Sequence, residues 1–386
     1  MSKKKEHSKL VPELRFPEFH NKGEWEEKEL IDACDMQAGN FVKASEINEQ
    51  NSDGLFPCYG GNGLRGYTKS FTHEGSYPLI GRQGALCGNV TFVTSKFHAT
   101  EHAVAATPSK NIDTKWLFYL LVHANLNQYA TGQAQPGLSV SNLKKVQISI
   151  PKKIEEQQKI ANTLTSIDDL IGAENEKLDA LKAHKKGLLQ QLFPAKGEQV
   201  PRVRFGEFEG DWEEKSLEDC LDYLQPTPYL VKNTDYNDSY TTPVLTAGKT
   251  FILGYTNEKE GIFNKNLPVI IFDDFTTASK FVDFPFKGKS SAMKLLLAKN
   301  NINIKFIYEA IQNIDFEVST HKRHWISVYS KLNILVPKSN EQQKIANCLS
   351  SLDDSITAQS EKIGALQAHK KGLMQQLFPN INDVVV

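Results

Sequence analysis

A 39-residue stretch at 156–194, EQQKIANTLTSIDDLIGAENEKLDALKAHKKGLLQQLFP, returns at 341–379 as EQQKIANCLSSLDDSITAQSEKIGALQAHKKGLMQQLFP. The copies agree at 28 of 39 positions, at a constant offset of 185 and without a gap. A second echo confirms the repeat: VPELRFPEF (11–19) and EWEEKEL (24–30) come back as VPRVRFGEF (200–208) and DWEEKSL (211–217). The chain is therefore written twice, as leading segment, long block and repeated segment, and any fold must accommodate two related halves.

The repeated segment is helical by period. Steps of four and three through the first copy meet Ile160, Leu164, Ile167, Ile171, Glu174, Leu178, Leu181, Lys185, Leu188 and Leu192. The second copy gives Ile345, Leu349, Leu352, Ile356, Gln359, Ile363, Leu366, Lys370, Leu373 and Leu377, with its polar interruptions at the same two places. That is the seam of a coiled coil. Two such helices in one chain are expected to cover each other's stripe. The intervening block returns the chain, which predicts an antiparallel pair, each helix about 55 Å long. Both end at Phe-Pro (Phe193-Pro194, Phe378-Pro379), where proline stops the helix. Spacing alone admits a dimerisation coiled coil or a rigid ruler between two globular blocks, and the chain order favours the ruler. Asp168-Asp169 and Asp353-Asp354 read as a solvated face. AHKKGL (183–188, 368–373) reads either as solvated surface or as a docking site for a partner subunit.

The long blocks, 35–150 and 221–337, share apolar elements but not polar loops. Gly66-Tyr67-Thr68 matches Gly254-Tyr255-Thr256, Pro78-Leu79-Ile80 matches Pro268-Val269-Ile270, and Ile148-Ser149-Ile150-Pro151 matches Ile334-Leu335-Val336-Pro337. Short β-rich runs (NVTFV, 89–93; VIIF, 269–272) alternate with glycine turns, and one helix is expected near 114–129 and at its equivalent. Each block reads as one α/β module carrying different surface loops, which is how binding specificity is varied on a scaffold. In the first module the loops offer Asn62 and Arg65 (59–67), Arg82 and Gln83 (80–88), and Gln133, Gln135 and Ser139 (130–139). In the second they offer Thr246 and Lys249, Asp273, Asp274, Thr276 and Lys280, Ser290, and Lys322, Arg323 and His324. Arg pairs naturally with guanine, and Asn or Gln with adenine.

Other classes find little support. GKT (248–250) and GKS (288–290) lack the upstream glycine of a P-loop, and HATEH (98–102) and HKRH (321–324) lack a third ligand, so no metal site is expected. No hydrolase, kinase, dinucleotide or amino-methyltransferase signature occurs. The basic start, MSKKKEHSKLVPEL, precedes no apolar run, and no stretch reaches membrane-spanning length. Five cysteines without a CxxC pair suit reduced thiols in a cytoplasmic protein. Net charge is −1, although each long block is slightly basic.

WEEKxL at the start of each module, the I-x-I-P-K strand end (148–152; LVPK at 335–338), EQQKIAN and AHKKGLxQQLFP, doubled and in this order, resemble the specificity subunit of type I restriction–modification systems over essentially the whole chain. The resemblance implies an α/β (α+β) fold: two tandem target-recognition domains separated by two long antiparallel coiled-coil helices, with a pseudo-twofold internal repeat. Its division would be an N-terminal segment (1–20), recognition domain 1 (21–152), the central helix (153–194), a linker (195–209), recognition domain 2 (210–338), the distal helix (339–379) and a tail (380–386). It implies a non-catalytic subunit in which each domain reads one half of a split, asymmetric site in double-stranded DNA. The polar residues named above would be the DNA contacts. Two modification subunits would methylate adenine at N6 in each half-site using S-adenosylmethionine, and two restriction subunits would add ATP- and Mg-dependent translocation and cleavage. This chain would bind no cofactor itself. Gln157, Gln158, His184, Lys185 and Lys186, with Gln342, Gln343, His369, Lys370 and Lys371, would meet those partners. The near-neutral charge departs from a typical DNA binder, so partners would supply much of the phosphate contact. The rival reading is a coiled-coil scaffold with two protein-binding modules.

Overall fold

The computed structural model describes residues 10–84, 86–132, 136–248, 250–316 and 323–379. The chain forms two compact units: Met1–Asn175 together with Glu361–Val386, and Glu176–Ser360.

In chain order the first unit contains β1 (Glu26–Glu29), α1 (Leu30–Ala33), β2 (Cys34–Ala38), β3 (Phe56–Gly60), β4 (Gly63–Thr68), β5 (His73–Glu74), β6 (Tyr77–Gly81), β7 (Val90–Val93), β8 (Lys96–Ala99), β9 (Ala103–Pro108), α2 (Thr114–His123), α3 (Val140–Lys144) and β10 (Gln147–Ile150). Helix α4 (Ile154–Leu192) follows. One sheet runs β2-β9-β6-β7, antiparallel throughout. The other runs β4-β3-β8-β5, with β3 and β8 parallel. The WEEK segment is β1, which pairs with the I-x-I strand β10, so both ends of the module are tied together. Asp113 caps α2 by accepting from the Trp116 amide at 2.9 Å, and Trp116, Leu117, Leu120 and Leu121 are buried in the core. The helix expected near 114–129 stops at His123, because Asn125 turns left-handed (φ 44°) and a 3-10 turn, Leu126–Tyr129, takes over.

The second unit repeats this plan with β11 (Glu213–Ser216), α5 (Leu217–Cys220), β12 (Leu221–Leu224), β13 (Thr242–Leu245), β14 (Ile252–Thr256), β15 (Val269–Asp273), β16 (Ser279–Val282), β17 (Lys287–Gly288), β18 (Met293–Ala298), α6 (Ile304–Gln312) and β19 (Asn333–Val336), before α7 (Ser339–Leu377). The sheets are β12-β18-β15-β16 and β14-β13-β17, and β11 pairs with β19. Even irregularities recur. Both hairpins carry a bulge, between Cys58 and Tyr59 and between Val244 and Leu245, and both place a glycine at strongly positive φ (Gly66, 148°; Gly254, 158°).

Each unit takes half of each long helix. In the first, Ile160, Ala161 and Leu164 of α4 share a core with Met374 and Leu377 of α7 and with Phe378 just after it. Lys370 pairs with Asp168 at 2.5 Å and Lys362 with Glu174 at 2.6 Å, so the two helix segments run in opposite directions here. In the second, Lys185 pairs with Asp353 at 2.6 Å, the same partners with the copies exchanged. This corrects the reading of Asp168 and Asp353 as a solvated face. Asp168 also accepts from the Tyr119 hydroxyl at 2.7 Å, and Asp353 from Lys305 at 2.7 Å. Burial works to raise the Asp353 carboxyl, but hydrogen bonds from Lys185 and Lys305 hold it below the usual aspartate range. Lys185 and Lys305 also flank the fully buried Glu309, at 3.0 and 2.9 Å.

The other repeated motifs meet in one cluster per unit. Arg15 grips Glu156 in a two-pronged salt bridge (2.7 and 2.8 Å), and the Trp25 indole donates to the same carboxylate at 3.1 Å. Arg204, Glu341 and Trp212 reproduce it at 2.7, 2.8 and 3.3 Å. One glutamate thus ties leading segment, module and helix start together. All five cysteines are free, and burial pushes the Cys34 thiol up to about 12 and Cys220 up to about 11. Among the described residues no helix is long and apolar enough to cross a membrane, and no group of His, Cys, Asp and Glu could hold a metal ion.

Candidate nucleic-acid interface

In the first unit the polar loops converge. The β3–β4 hairpin lays Gly61 directly on the end of β6, where a Cβ on Gly81 would stand 2.0 Å from the Gly61 carbonyl oxygen. Glycine at 81 is therefore what allows the two loops to touch. The 130–139 loop joins from the other side: Gln83 bridges Gly137, Leu138 donates to the Arg82 carbonyl at 2.8 Å, and Gly84 donates to Pro136 at 3.0 Å. The β8–β9 turn is held by Thr100 donating to Tyr59 at 2.9 Å. Between the hairpin, the segment after β6 and the β8–β9 turn lies a cleft of about 410 Å³ lined by residues 60–65, Gln83, Gly84 and His102. Asn62, Arg65 and Gln83 are brought together on its rim, all exposed. Leu64, also exposed, and His102 line it too, and neither is among the polar loop residues picked from sequence. Arg82 sits on the same loop, half-buried. Ser139 has a different task, capping α3 by accepting from the Asn142 amide at 3.1 Å. Gln133 and Gln135 lie outside the described residues.

A Gly81→Ala change is expected to push the hairpin off the loop at a cost of about 1–3 kcal/mol. The checking measurement is hydrogen exchange at the Thr100 amide, which should speed up markedly; an unchanged rate would show that the contact yields elsewhere.

The second unit assembles equivalent loops through different contacts. Lys289 donates to Leu245 at 3.0 Å, and the Asp274 amide donates to Ala292 at 3.1 Å. Here several candidates are structural. Asp274 is buried, accepts from the His324 and Trp325 amides (3.1 and 2.8 Å) and faces buried Lys294 at 3.4 Å. Its place as a base contact is corrected: it anchors the 323–325 segment. Asp273 closes its own turn by accepting from Phe275 and Thr276 amides. Thr246 bonds Thr250 across the 246–250 turn, and Ser290 accepts from Ala292. His324 is buried, with its ring edge-on to Phe316. Thr276 and Arg323 are exposed and Lys280 is half-buried; Lys249 and Lys322 lie outside the described residues. Sequence reasoning passed over the exposed apolar Phe275, Ile326 and Val328 on the same loops. Loops that read DNA through thymine methyls expose such groups, but in sequence they look like any core residue.

The partner-facing candidates divide in the same way. Gln157 is buried: it accepts from Asp113 at 2.9 Å and donates to Asn111 and Pro151 at 3.2 and 3.5 Å. Gln342 does the same with Asn303, Asn301 and Pro337. Both clasp the helix start to its module, which corrects their assignment as partner contacts. Lys185 and Lys370 are spent on the ion pairs between helix segments. Gln158, His184, Lys186, Gln343, His369 and Lys371 are exposed.

Residues 22–183 and 209–367, most of the chain, match the model of the type I restriction modification DNA specificity domain. The chain belongs to that family. Two type I restriction enzyme specificity subunits of Escherichia coli are 48% and 44% identical to this family member over 164 residues; the matches cover 40% and 42% of this chain and 41% and 40% of theirs. The chain thus matches about two fifths of the length of these relatives. A specificity subunit of Methanocaldococcus jannaschii is 22% identical over 97% of this chain and 96% of its own. The fold is that of the Mycoplasma genitalium type I S subunit crystal structure (TM-score 0.70, 16% identity, 96% of this chain and 100% of that one).

Proposed function

We propose that this chain is the DNA-specificity subunit of a type I restriction–modification complex, each module reading one half of a bipartite, asymmetric site. The observation that carries this is the convergence of two polar loops, at 59–67 and 80–88, on one open cleft, with residues 136–138 bonded to the second of them, in a member of the specificity family. The division into recognition domains (21–152, 210–338), helices (153–194, 339–379), linker and ends follows the same reading, and is supported by the matching sheet orders and motif clusters. The helix segments, antiparallel within each unit by their ion pairs, form a coiled coil related by a pseudo-twofold and act as a ruler. The ruler keeps the half-sites about 34 Å apart, one turn of DNA. Asn62, Arg65, Arg82 and Gln83 serve the first half-site; Thr276, Lys280 and Arg323 serve the second.

The chain does no chemistry itself. Base flipping and methylation at adenine N6 fall to two modification subunits carrying S-adenosylmethionine, and cleavage to two ATP- and Mg-dependent restriction subunits, all in the cytoplasm. Exposed His184, Lys186, His369 and Lys371, with Gln158 and Gln343, are the proposed partner surface. A genome-wide map of N6-methyladenine in cells making this chain with its modification subunit tests the assignment. A split, asymmetric motif that disappears without the chain is expected; no new methylation beside a soluble partner would favour the protein-binding scaffold.

A fragment near 1–195 is expected to self-associate at micromolar concentration and, with its partner, to direct methylation to a palindrome of the first half-site. It keeps GLLQQLFP of α4, nearly the same as the GLMQQLFP that closes the first unit's core. Sedimentation showing a stable monomer would contradict this.

A further inference from the structure

The segments just beyond β6 and just before β9, beside the first unit's cleft, carry three side chains with unmet hydrogen-bonding capacity. The β6–β9 ladder pairs Gly81 with Ala103, and the Arg82 amide donates to the His102 carbonyl at 3.0 Å. Arg82 and His102 therefore face each other one step beyond the end of the β6–β9 ladder. Beside them, Glu101 Oε1 lies 3.2 Å from His102 Nε2. Arg82 Nε, Glu101 Oε2 and His102 Nδ1 are shielded from water with no partner. Native folds seldom leave such atoms unmet, and those that persist call for an explanation such as a ligand or a reaction. Here the adjoining surface is the cleft that His102 lines with Asn62, Arg65 and Gln83.

We propose that Arg82 and His102, the latter oriented by Glu101, determine specificity in the first module by reading one G·C base pair in the major groove. This rests on the assignment of the chain as a DNA-specificity subunit. With the ring proton on Nε2, which faces the Glu101 carboxylate, neutral His102 keeps a lone pair on Nδ1 and accepts there. It needs a donor, and cytosine supplies one at N4. Arg82 supplies donors and needs a pair of acceptors, which guanine offers at O6 and N7. One G·C pair presents both sets on its major-groove edge. An A·T pair puts a methyl and a single keto oxygen where one of these partners should be. Swinging the unmet atoms to the base breaks no hydrogen bond of theirs within the protein, so recognition replaces vacant bonding capacity with filled capacity. Asn62 and Arg65 stand on the exposed hairpin, suited to fixing register against the backbone.

The test is the N6-methyladenine map of cells making the modification subunit with the wild-type chain, with His102→Ala, or with Glu101→Gln. His102→Ala should make one G·C position of the first half-site degenerate, its discrimination falling about ten- to one-hundred-fold, while the second half-site is unchanged. Glu101→Gln should relax that same position more weakly, as expected of a residue acting through His102. Unchanged motifs in both variants overturn the proposal. So does relaxation spread across the half-site or into both halves, which marks a structural role. Absence of any split motif with the wild-type chain is a different result: it sinks the parent assignment rather than the roles of these residues.

Discussion

Replacing Phe378 by alanine should destabilise the first unit by about 3–5 kcal/mol, the usual cost of emptying a large aromatic site in a core. Phe378 is the last residue before the proline that ends the distal helix segment, yet it is 1% exposed. Its ring stacks on His123 at 5.1 Å and meets Trp25 and Trp116 at 6.2 Å each. Burial depresses the His123 imidazole below its ordinary range, so the stacked ring stays neutral and apolar near pH 7. The hole left behind has no easy route to collapse, because indoles wall it on two sides. The Leu14 amide also donates to the Gln376 carbonyl at 2.9 Å, so the leading segment loosens with the helix end. Urea denaturation followed by tryptophan fluorescence measures the loss. Phe193→Ala should act on the second unit alone, since that ring packs on Phe306 at 5.1 Å and Trp212 at 6.1 Å. A Phe378 variant as stable as the wild type would mean that the helix end merely rests on the module.

Glu156→Ala should cost a comparable amount, about 3–5 kcal/mol, for a different reason. Both partners are nearly inaccessible, Arg15 at 6% and Glu156 at 1%, so removing the carboxylate strands a buried guanidinium and leaves the Trp25 N–H without its acceptor. Removing the whole pair is another matter. In Arg15→Met/Glu156→Leu no buried charge is left over, and much of the stability should return. Glu341→Ala should cost less, because Arg204 is 18% exposed and can recover water. The diagnostic is the non-additivity of the double change in a denaturation cycle. Additive losses would show that Arg15 and Glu156 act independently.

The two long helices, their Phe-Pro stops and the module strands were legible because period, proline and β-branched runs report local geometry. The meaning of the repeated WEEK, VPxxRF and EQQ motifs was not, since their link is a contact between Arg15 and Glu156, 141 positions apart. The two polar breaks in the seam were visible, but nothing in the spacing told that Lys370 would find Asp168. At the candidate interface the loops carried their own signals, glycines and amides after strands, and those of the first module did meet at one cleft. The second did not: Asp274, an acidic loop residue by every local rule, is an internal anchor whose partners lie at 294 and 324–325. His102 was visible only as half of a rejected metal pattern. Its position on a cleft wall depends on β6–β9 pairing, which composition does not report.

The split of the first unit between Met1–Asn175 and Glu361–Val386 sets an order of events on the ribosome. Glu176–Ser360 is continuous, so the second unit has every residue it needs before the first does. At about 5–20 residues per second, the first module waits roughly 11–45 seconds after its last strand, β10, is made before Leu377 and Phe378 arrive to close it. Throughout that interval its unfilled aromatic socket is exposed to chaperones, and to the helix ends of neighbouring nascent chains.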